Sequence, residues 1–381
     1  MPSDGVSLAV SASLDNDTLK DLLKTTLENY PWDGKFATLL KYHDYPICNM
    51  WFRDGNITLD GGTAIVRNVQ LTENGSARFT QPYETASPAQ ADVQGRLRAN
   101  WVYVAGDFSI SREEMLINRS KPEKLIDLAK TKRLAAIMDI ANLLEAWAWK
   151  APSSSTDELH PMGIPYCLVP ITGAQVTAGT ATHQGTYLSG FSDCYGIDPA
   201  QTTPDASRWL SYNDVWTNSA GDIADGDVTK IGRMLRRLGF RTPQVANVPD
   251  EGPDKLRLYA TETIIESLED RARKNNDSLA ADVAKYSWIK SGNSGPLLAG
   301  RPVEWAEYLD GDTDYYTKPL VAVNHSFFQP FVMSGNWFRE TGPLNDRTQH
   351  NVFTTFEDLQ FNFVCTNRQR AGGVISYVAA A

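Results

Sequence analysis

Residues 125–149, with the sequence LIDLAKTKRLAAIMDIANLLEAWAW, contain neither Gly nor Pro and decide the fold prediction. Capping-box and first-turn residues precede them at Ser120, Pro122 and Glu123, and Ala151-Pro152 follows. The pattern predicts one helix of about 40 Å, at 1.5 Å per residue, that serves as a spine. Its apolar face comprises Ile137, Ile140, Ala141, Leu144, Trp147 and Ala148.

Before the spine, the sequence of residues 57–105 predicts a long two-stranded β-hairpin. Ile65, Val69 and Leu71 share one strand parity, and a turn signal follows at residues 73–76. Residues 81–91 are polar and interrupted by two prolines, which favours a loop at the tip. A lone hairpin buries too little surface to be stable in water, so we expect it to lie on something else, such as a neighbouring subunit. The second strand has a common parity at Leu97, Trp101, Tyr103 and Ala105.

After the spine, residues 163–335 mix short strands and helices. Asp227 is expected to cap a helix that Gly239 closes, with an apolar face at Val228, Ile231, Leu235 and Leu238. A second amphipathic helix is predicted over residues 261–275. Strands are predicted at residues 166–171, 256–260 and 302–308.

The C-terminal stretch predicts strands at residues 359–365, where apolar and mostly polar positions alternate, and at 374–378. Neither these strands nor those before the spine make a sheet alone, so the two sets should pair. The mixed region then becomes an insertion, which gives an α+β architecture.

Bulk properties narrow the function classes. A chain of 381 residues suggests two or three lobes. A formal net charge of −10 disfavours a surface that grips nucleic acid, but not a container that encloses it. The plentiful aromatic residues suit a core or subunit interfaces alike. No export signal and no run approaching ~18 apolar residues is visible, so we expect a soluble chain.

No motif of enzyme chemistry was found. The five histidines lack metal-ligand spacing, and we expect them to be structural. No nucleophile elbow, phosphate loop or dinucleotide motif occurs. We therefore expect no catalytic residues, no metal and no cofactor. The cysteines should be reduced, buried small hydrophobes; they are Cys48, Cys167, Cys194 and Cys365.

Two charged stretches have simple interpretations. Residues 310–314, DGDTD, begin like a calcium loop but lack its Gly at position six and Glu at position twelve, so we expect an exposed turn. A basic helix face should be a solvated helix end or an intersubunit salt bridge rather than a nucleic-acid site. Its residues are Lys230, Arg233, Arg236, Arg237 and Arg241.

Four motifs, in their order and spacing, carry a family resemblance. They are Asp60-Gly61-Gly62-Thr63 before the strand at 65–69; Ser111-Arg112-Glu113-Glu114 through Asn118 to Ile126-Asp127-Leu128; Met162-Gly163-Ile164-Pro165-Tyr166; and residues 338–343 with Gln349-His350 and 362–368. Over about residues 30 to 378 this order resembles the major capsid proteins of tailed bacteriophages, which have the Hong Kong 97 type fold.

The resemblance implies five parts. An N-terminal arm spans residues 1–55, an extended hairpin loop 56–106, and a peripheral domain with the spine helix 107–164. An inserted axial domain spans 165–335, and returning strands of the peripheral domain 336–381. In this family the hairpin drapes over the adjacent subunit.

The implied function is that of a structural subunit which self-assembles, as pentamers and hexamers, into an icosahedral head. The head would enclose double-stranded DNA without sequence-specific binding, in a virion assembled in the host cytoplasm. Portal, scaffolding and decoration proteins are candidate partners, and no membrane is expected. The alternatives are an encapsulin-like compartment shell and, from another class, a carbohydrate-active enzyme, for which no carboxylate pair can be assigned.

The resemblance also bears on how the shell is held together. Some members of the family join subunits through a loop lysine, but residues 42–120 contain no Lys. Only about 55 residues precede the hairpin, so we expect an unprocessed N-terminus without a large built-in scaffold. We predict a non-covalent shell, because arginine suits paired hydrogen bonds to carboxylates but is a poor nucleophile. The predicted interface residues are Arg67, Arg78, Arg96, Arg98 and Trp101.

Overall fold

The computed structural model describes residues 45–53, 57–81, 92–118, 122–171, 183–218, 222–239, 255–277, 289–292, 295–311, 315–345 and 351–377. Most of the predicted N-terminal arm, the hairpin tip at 82–91 and the Gln349-His350 motif lie outside these ranges. The described helices are Pro46–Arg53 (α1), Arg112–Asn118 (α2), Pro122–Ala148 (α3), Ile164–Cys167 (α4), Asp225–Leu238 (α5), Glu262–Asp277 (α6), Glu307–Asp310 (α7) and Arg368–Ala371 (α8).

The described strands before residue 300 are Thr58–Asp60 (β1), Ile65–Gln70 (β2), Gln94–Ala99 (β3), Val102–Ser111 (β4), His183–Gly185 (β5), Ser211–Val215 (β6), Leu256–Ala260 (β7), Ile289–Gly292 (β8) and Gly295–Leu298 (β9). Those after it are Arg301–Trp305 (β10), Thr317–Asn324 (β11), Phe328–Met333 (β12), Arg339–Asn345 (β13), Val352–Cys365 (β14) and Gly372–Tyr377 (β15).

The described residues divide into two compact units. The first comprises Val104–Ile140 and Phe338–Leu359, and the second the described parts of Lys41–Tyr103, Ala141–Trp337 and Gln360–Ala381. The strands β4 and β14 and the spine helix α3 contribute residues to both units.

In the first unit, β14 pairs antiparallel with β13, and β4 also pairs with β14. Ser111 and Glu114 form a reciprocal capping box at the start of α2, with both hydrogen bonds at 3.1 Å. The core comprises Phe108, Ile110, Met115, Ala129, Ala136 and Phe353. The strands before and after the spine therefore pair, as the sequence predicts.

In the second unit an eight-stranded sheet has the order β5-β6-β15-β11-β7-β10-β9-β8. The helices α5 and α6 bury Ile231 and Leu235, and Ile264 and Leu268, in the same core as strand residues such as Leu258. Each such leucine or isoleucine contributes roughly 1.5–3 kcal/mol by leaving water. The last strand, β15, which the sequence places with the returning strands, lies between β6 and β11 of this sheet.

Several predicted elements are confirmed. The spine helix spans Pro122–Ala148, with Ile140, Leu144 and Ala148 buried. The strand at 256–260 matches β7, and the helix predicted over 261–275 is α6. All four cysteines are free and buried.

The strand predicted at residues 166–171 is wrong, because a short helix, α4, lies at Ile164–Cys167. Pro165 stands in its first turn, where proline loses no hydrogen bond. The stretch is buried throughout, and a short apolar run cannot distinguish a buried strand from a buried helix. The strand predicted at 302–308 likewise ends at Trp305, and α7 follows.

Two predictions of side-chain position are also wrong. Tyr103 is 73% exposed, because the inward parity changes between Trp101 and Val102, which are both buried. At that point the chain leaves the β2–β3 pair and enters the pairing of β4 with β14. Asp227 does not occupy the cap position of α5; it stands three residues inside it and accepts a hydrogen bond from the backbone N–H of Ala224 at 3.2 Å.

Candidate assembly surface

The root of the hairpin is a tight turn before β2. Gly62 has φ of 103°, a left-handed conformation that favours glycine. The indole N–H of Trp101 donates to the carbonyl of Gly62 at 3.0 Å, and the Asp60 carboxylate accepts from the Gly61 N–H at 2.8 Å. Trp101 is 8% exposed, and its indole N–H is satisfied within its own chain.

Arg67 is also engaged within its own chain. Its guanidinium lies 2.9 Å from the Asp60 carboxylate and 5.2 Å above the centre of the Phe331 ring. An ion pair combined with a cation–π contact holds the side chain in place. Arg67 therefore fixes the hairpin root to the β12 region of the same unit.

The outward face of the hairpin carries the other predicted arginines. Arg96 and Arg98 are both exposed on β3, opposite Asn68 and Val66 of β2. Arg78 is exposed on the segment after β2. The part of the chain that the structure describes contains no salt bridge for any of these three. Their place at an intersubunit interface stays a prediction.

Large apolar side chains are exposed on the same hairpin. Phe79 is 107% exposed, and Val66 is 41% exposed beside Arg98. A cavity of about 480 Å³ lies behind β2, lined by Arg67, Leu71, Glu73, Arg208, Trp209 and Phe327 among others. Both arginines of that set are already paired, Arg67 with Asp60 and Arg208 with Glu73 at 2.9 Å. The cavity therefore offers no unpaired guanidinium for binding an anion.

The first unit contains a cluster in which two carboxylates lie near a single guanidinium. Glu340 of β13 and Glu357 of β14 are directly opposite each other, and Arg133 of α3 serves both. A guanidinium Nη of Arg133 lies 2.8 Å from Glu340, whereas its Nε lies 3.6 Å from Glu357. Burial raises the pKa of Glu357, Arg133 lowers it and Glu340 raises it further. Two carboxylates thus share one cation.

The second unit holds a buried carboxylate, Glu145, on the spine helix. It accepts hydrogen bonds from the backbone N–H groups of Cys48 at 2.9 Å and Ile47 at 3.4 Å, and from the Trp149 indole at 3.1 Å. The two backbone groups belong to the first turn of α1, which lacks partners inside its own helix. Glu145 therefore caps α1 from another helix, while burial raises its pKa to about 7.

Arg368 is a fully buried cation on α8. Its guanidinium donates to the carbonyls of Cys167 at 2.9 Å and Trp209 at 3.0 Å, and also to that of Thr186. These three carbonyl dipoles compensate for the hydration that the guanidinium loses when it is buried. Arg368 ties together three segments that are distant in sequence.

Three of the buried cysteine thiols are not activated as nucleophiles. Burial raises the pKa of the thiols of Cys48 and Cys167, and that of Cys194 to about 12, so these thiols stay protonated and unreactive. Burial lowers the pKa of His325 to about 3, and its ring contacts the Tyr259 hydroxyl at 2.8 Å. No group of His, Cys, Asp or Glu with the arrangement of a metal site occurs among the described residues.

Four charged side chains were not predicted from the sequence to have a role of their own, although two of them lie in the motifs that carry the resemblance; they are Glu145, Glu357, Glu340 and Arg368. For Glu145 a signal existed, because it is the one charged residue in the mostly apolar stretch ANLLEAWAW, residues 141–149. For Glu340 and Glu357 none existed, since their opposition depends on the register of β13 with β14.

Comparisons with known proteins identify the fold. The sequence matches no protein-family model and no curated protein sequence. Among solved structures, the chain is similar to one described as the capsid asymmetric unit of cyanophage A-1(L), with a TM-score of 0.58 and 13% identity over 94% of this chain and 99% of that one. It is also similar to the capsid of an empty GTA particle, with a TM-score of 0.51 and 12% identity over 93% and 97%.

The class of fold is therefore the mixed helix-and-sheet fold of phage-type capsid subunits. The capsid of a native GTA particle agrees, with a TM-score of 0.50 and 13% identity over 85% of this chain and 88% of that one. Among the helices that the structure describes, none is long and apolar enough to span a bilayer.

Proposed function

We propose that this chain is a major capsid protein, the repeated structural subunit of the icosahedral head of a tailed phage. The observation that carries the proposal is the similarity to the cyanophage capsid subunit, which extends over nearly the whole of both chains. If the match covered only half of either chain, the two proteins could share one domain and still have different roles. Here the two chains correspond almost from end to end.

The exposed surface of the hairpin supports the same role. Its outward face carries an exposed valine and arginines that form no salt bridge among the described residues, and the segment after β2 carries a fully exposed Phe79. Such groups suit a contact with another protein, where burial of apolar surface provides affinity and charged pairs set the register.

The parts of the fold take the roles that the Hong Kong 97 type assigns. Residues 56–106 form the extended loop, 107–164 and 336–371 the peripheral domain, and 1–55 an arm. The axial domain comprises residues 165–335 together with the last strand, β15, which pairs with β6 and β11. Copies assemble as pentamers and hexamers around double-stranded DNA in the virion, with portal, scaffolding and decoration proteins as partners. The buried, protonated thiols and the internal use of the described histidines favour a structural role over catalysis.

The test is the size of the purified protein. Light scattering and negative-stain imaging should show closed particles tens of nanometres across, in equilibrium with small oligomers at low concentration. A species that stays at 42.2 kDa at every concentration tested would contradict the proposal.

A further inference from the structure

We propose that Arg133, Glu340 and Glu357 form an acceptor site for a guanidinium of a second copy of this chain, supplied by Arg96 or Arg98 of that copy. The inference rests on the proposed function, because it needs copies that assemble. It names the surface on which the hairpin arginines bind, which the function alone does not specify.

The first argument is the charge imbalance of the acceptor. Glu357 has a side chain that is 3% exposed, and neither of its carboxylate oxygens has a hydrogen-bond partner. Arg133 Nε, at 3.6 Å, is too distant to donate and is itself without a partner. Buried carboxylates are normally paired and hydrogen-bonded. One cation divided between two carboxylates leaves this one uncompensated.

The second argument is access. The Glu340 side chain is 29% exposed, so a cation from outside can reach Glu340 although it cannot reach Glu357. If such a cation pairs with Glu340, the ion pair between Glu340 and Arg133 weakens. Arg133 can then move onto Glu357 and form the hydrogen bond that is missing. Assembly would thereby neutralise a buried charge without exposing it to solvent.

The third argument is the complementarity of the donor. Arg96 and Arg98 are exposed, carry no salt bridge among the described residues, and project from the same face of β3 about 7 Å apart. The strand is held on one side by β2 and on the other by the hydrogen bond from Arg98 N–H to the Tyr195 carbonyl at 3.0 Å. A fixed strand presenting planar, permanently charged guanidinium groups suits recognition of carboxylates across an interface.

The experiment is zero-length cross-linking of assembled particles. A carbodiimide joins an amine to a carboxylate only when the two are in direct contact. The variants R96K and R98K introduce an amine into a stretch, residues 42–120, that has none. Both positions are exposed, so folding should be unaffected. The matched control is R208K, at an exposed arginine that already pairs with Glu73 of its own chain.

Peptide mass spectrometry should find position 96 or 98 joined to Glu340, and the link should vanish when E340Q is added. Mixing isotopically heavy and light subunits before assembly should give heavy–light pairs. Particles that form without this link would overturn the acceptor site and leave the proposed function intact. Links found only within all-heavy or all-light chains would overturn the contact between copies. Absence of particles from the unmodified chain would remove the proposed function itself, together with this inference.

A second measurement tests the coupling to Glu357. R98Q combined with R96Q should raise the critical concentration for assembly by about tenfold. R208Q, which removes an exposed ion pair within one chain, should leave it nearly unchanged. In an E357Q background, where the buried charge is absent, the same double substitution should raise it by no more than about twofold. Equal effects in both backgrounds would show that Arg133 is not transferred to Glu357, and would overturn that part of the proposal. If neither background responds, the hairpin arginines do not bind here.

Discussion

Glu145 illustrates how a single residue can connect two distant segments. It is fully buried on the spine helix, and it caps the first turn of α1, almost a hundred residues earlier in the chain. Burial opposes its ionised form, while the N–H groups of Cys48 and Ile47 and the Trp149 indole favour it. Burial prevails, which raises the pKa from its ordinary value of 4.5 to about 7.

The raised pKa of Glu145 predicts how stability depends on pH. The folded state holds this proton more tightly than the unfolded chain, so the favourable contribution is complete below pH 4.5 and declines as pH rises to about 7. The loss should amount to roughly 3 kcal/mol. Denaturant titration of disassembled subunits should show it between pH 5 and pH 8.

The neutral variant E145Q provides the comparison. Its amide oxygen can still accept hydrogen bonds, although its NH2 group cannot, and the side chain does not titrate. Its free energy of unfolding should therefore vary less over the same pH range than that of the unmodified chain. Identical slopes for the two proteins would exclude Glu145 as the source of the pH dependence.

At the scale of elements, the spine helix α3 depends on one buried stripe. Leu144 is 2% exposed, whereas its neighbour Leu143 is 41% exposed. Consecutive residues on a helix are about 100° apart. The two leucines therefore have the same side chain in the same turn of the helix, but only Leu144 faces the core. The pair offers a matched test of what the stripe contributes.

The substitution L144A should lower the free energy of unfolding by about 2–5 kcal/mol, since it removes buried methyl groups and leaves a cavity. L143A should cost within about 0.5 kcal/mol, because its site is already partly in water. Urea titration of both variants gives the comparison. Equal losses would mean that the interior lies on a different face of the helix.

At the scale of the whole molecule, the loop cannot supply an amine for a covalent join between subunits. Residues 42–120 contain no Lys, and the guanidinium groups of the loop stay protonated and are poor nucleophiles. Single exposed ion pairs contribute only ~0–1 kcal/mol each. The strength of the proposed shell must therefore come from apolar burial and from repetition of the same contact in every copy.

Particles boiled in detergent should accordingly run as one band at the 42.2 kDa monomer. A ladder of multimers that survives reductant would contradict the non-covalent assembly. The four buried cysteines do not confuse the result, because disulfides formed after unfolding are removed by reductant.

The sequence by itself determined the elements whose periodicity is long and uninterrupted. The spine helix, the strand β7 and the helix α6 follow from repeating apolar positions, because a regular backbone presents one face to the core. The order of motifs also indicated the capsid fold. Short apolar runs such as residues 166–171 were beyond this reasoning, since burial on all sides removes the periodic signal.

Only the tertiary structure decided which charged groups meet. Glu340 and Glu357 are opposite because of strand register, and Arg133 reaches them from a helix two hundred residues earlier in the chain. Glu145 meets the first turn of α1, and Arg368 meets three carbonyls, by the same kind of long-range contact. Periodicity records whether a side chain faces the core, but it does not record what the side chain finds there. That depends on how distant segments pack.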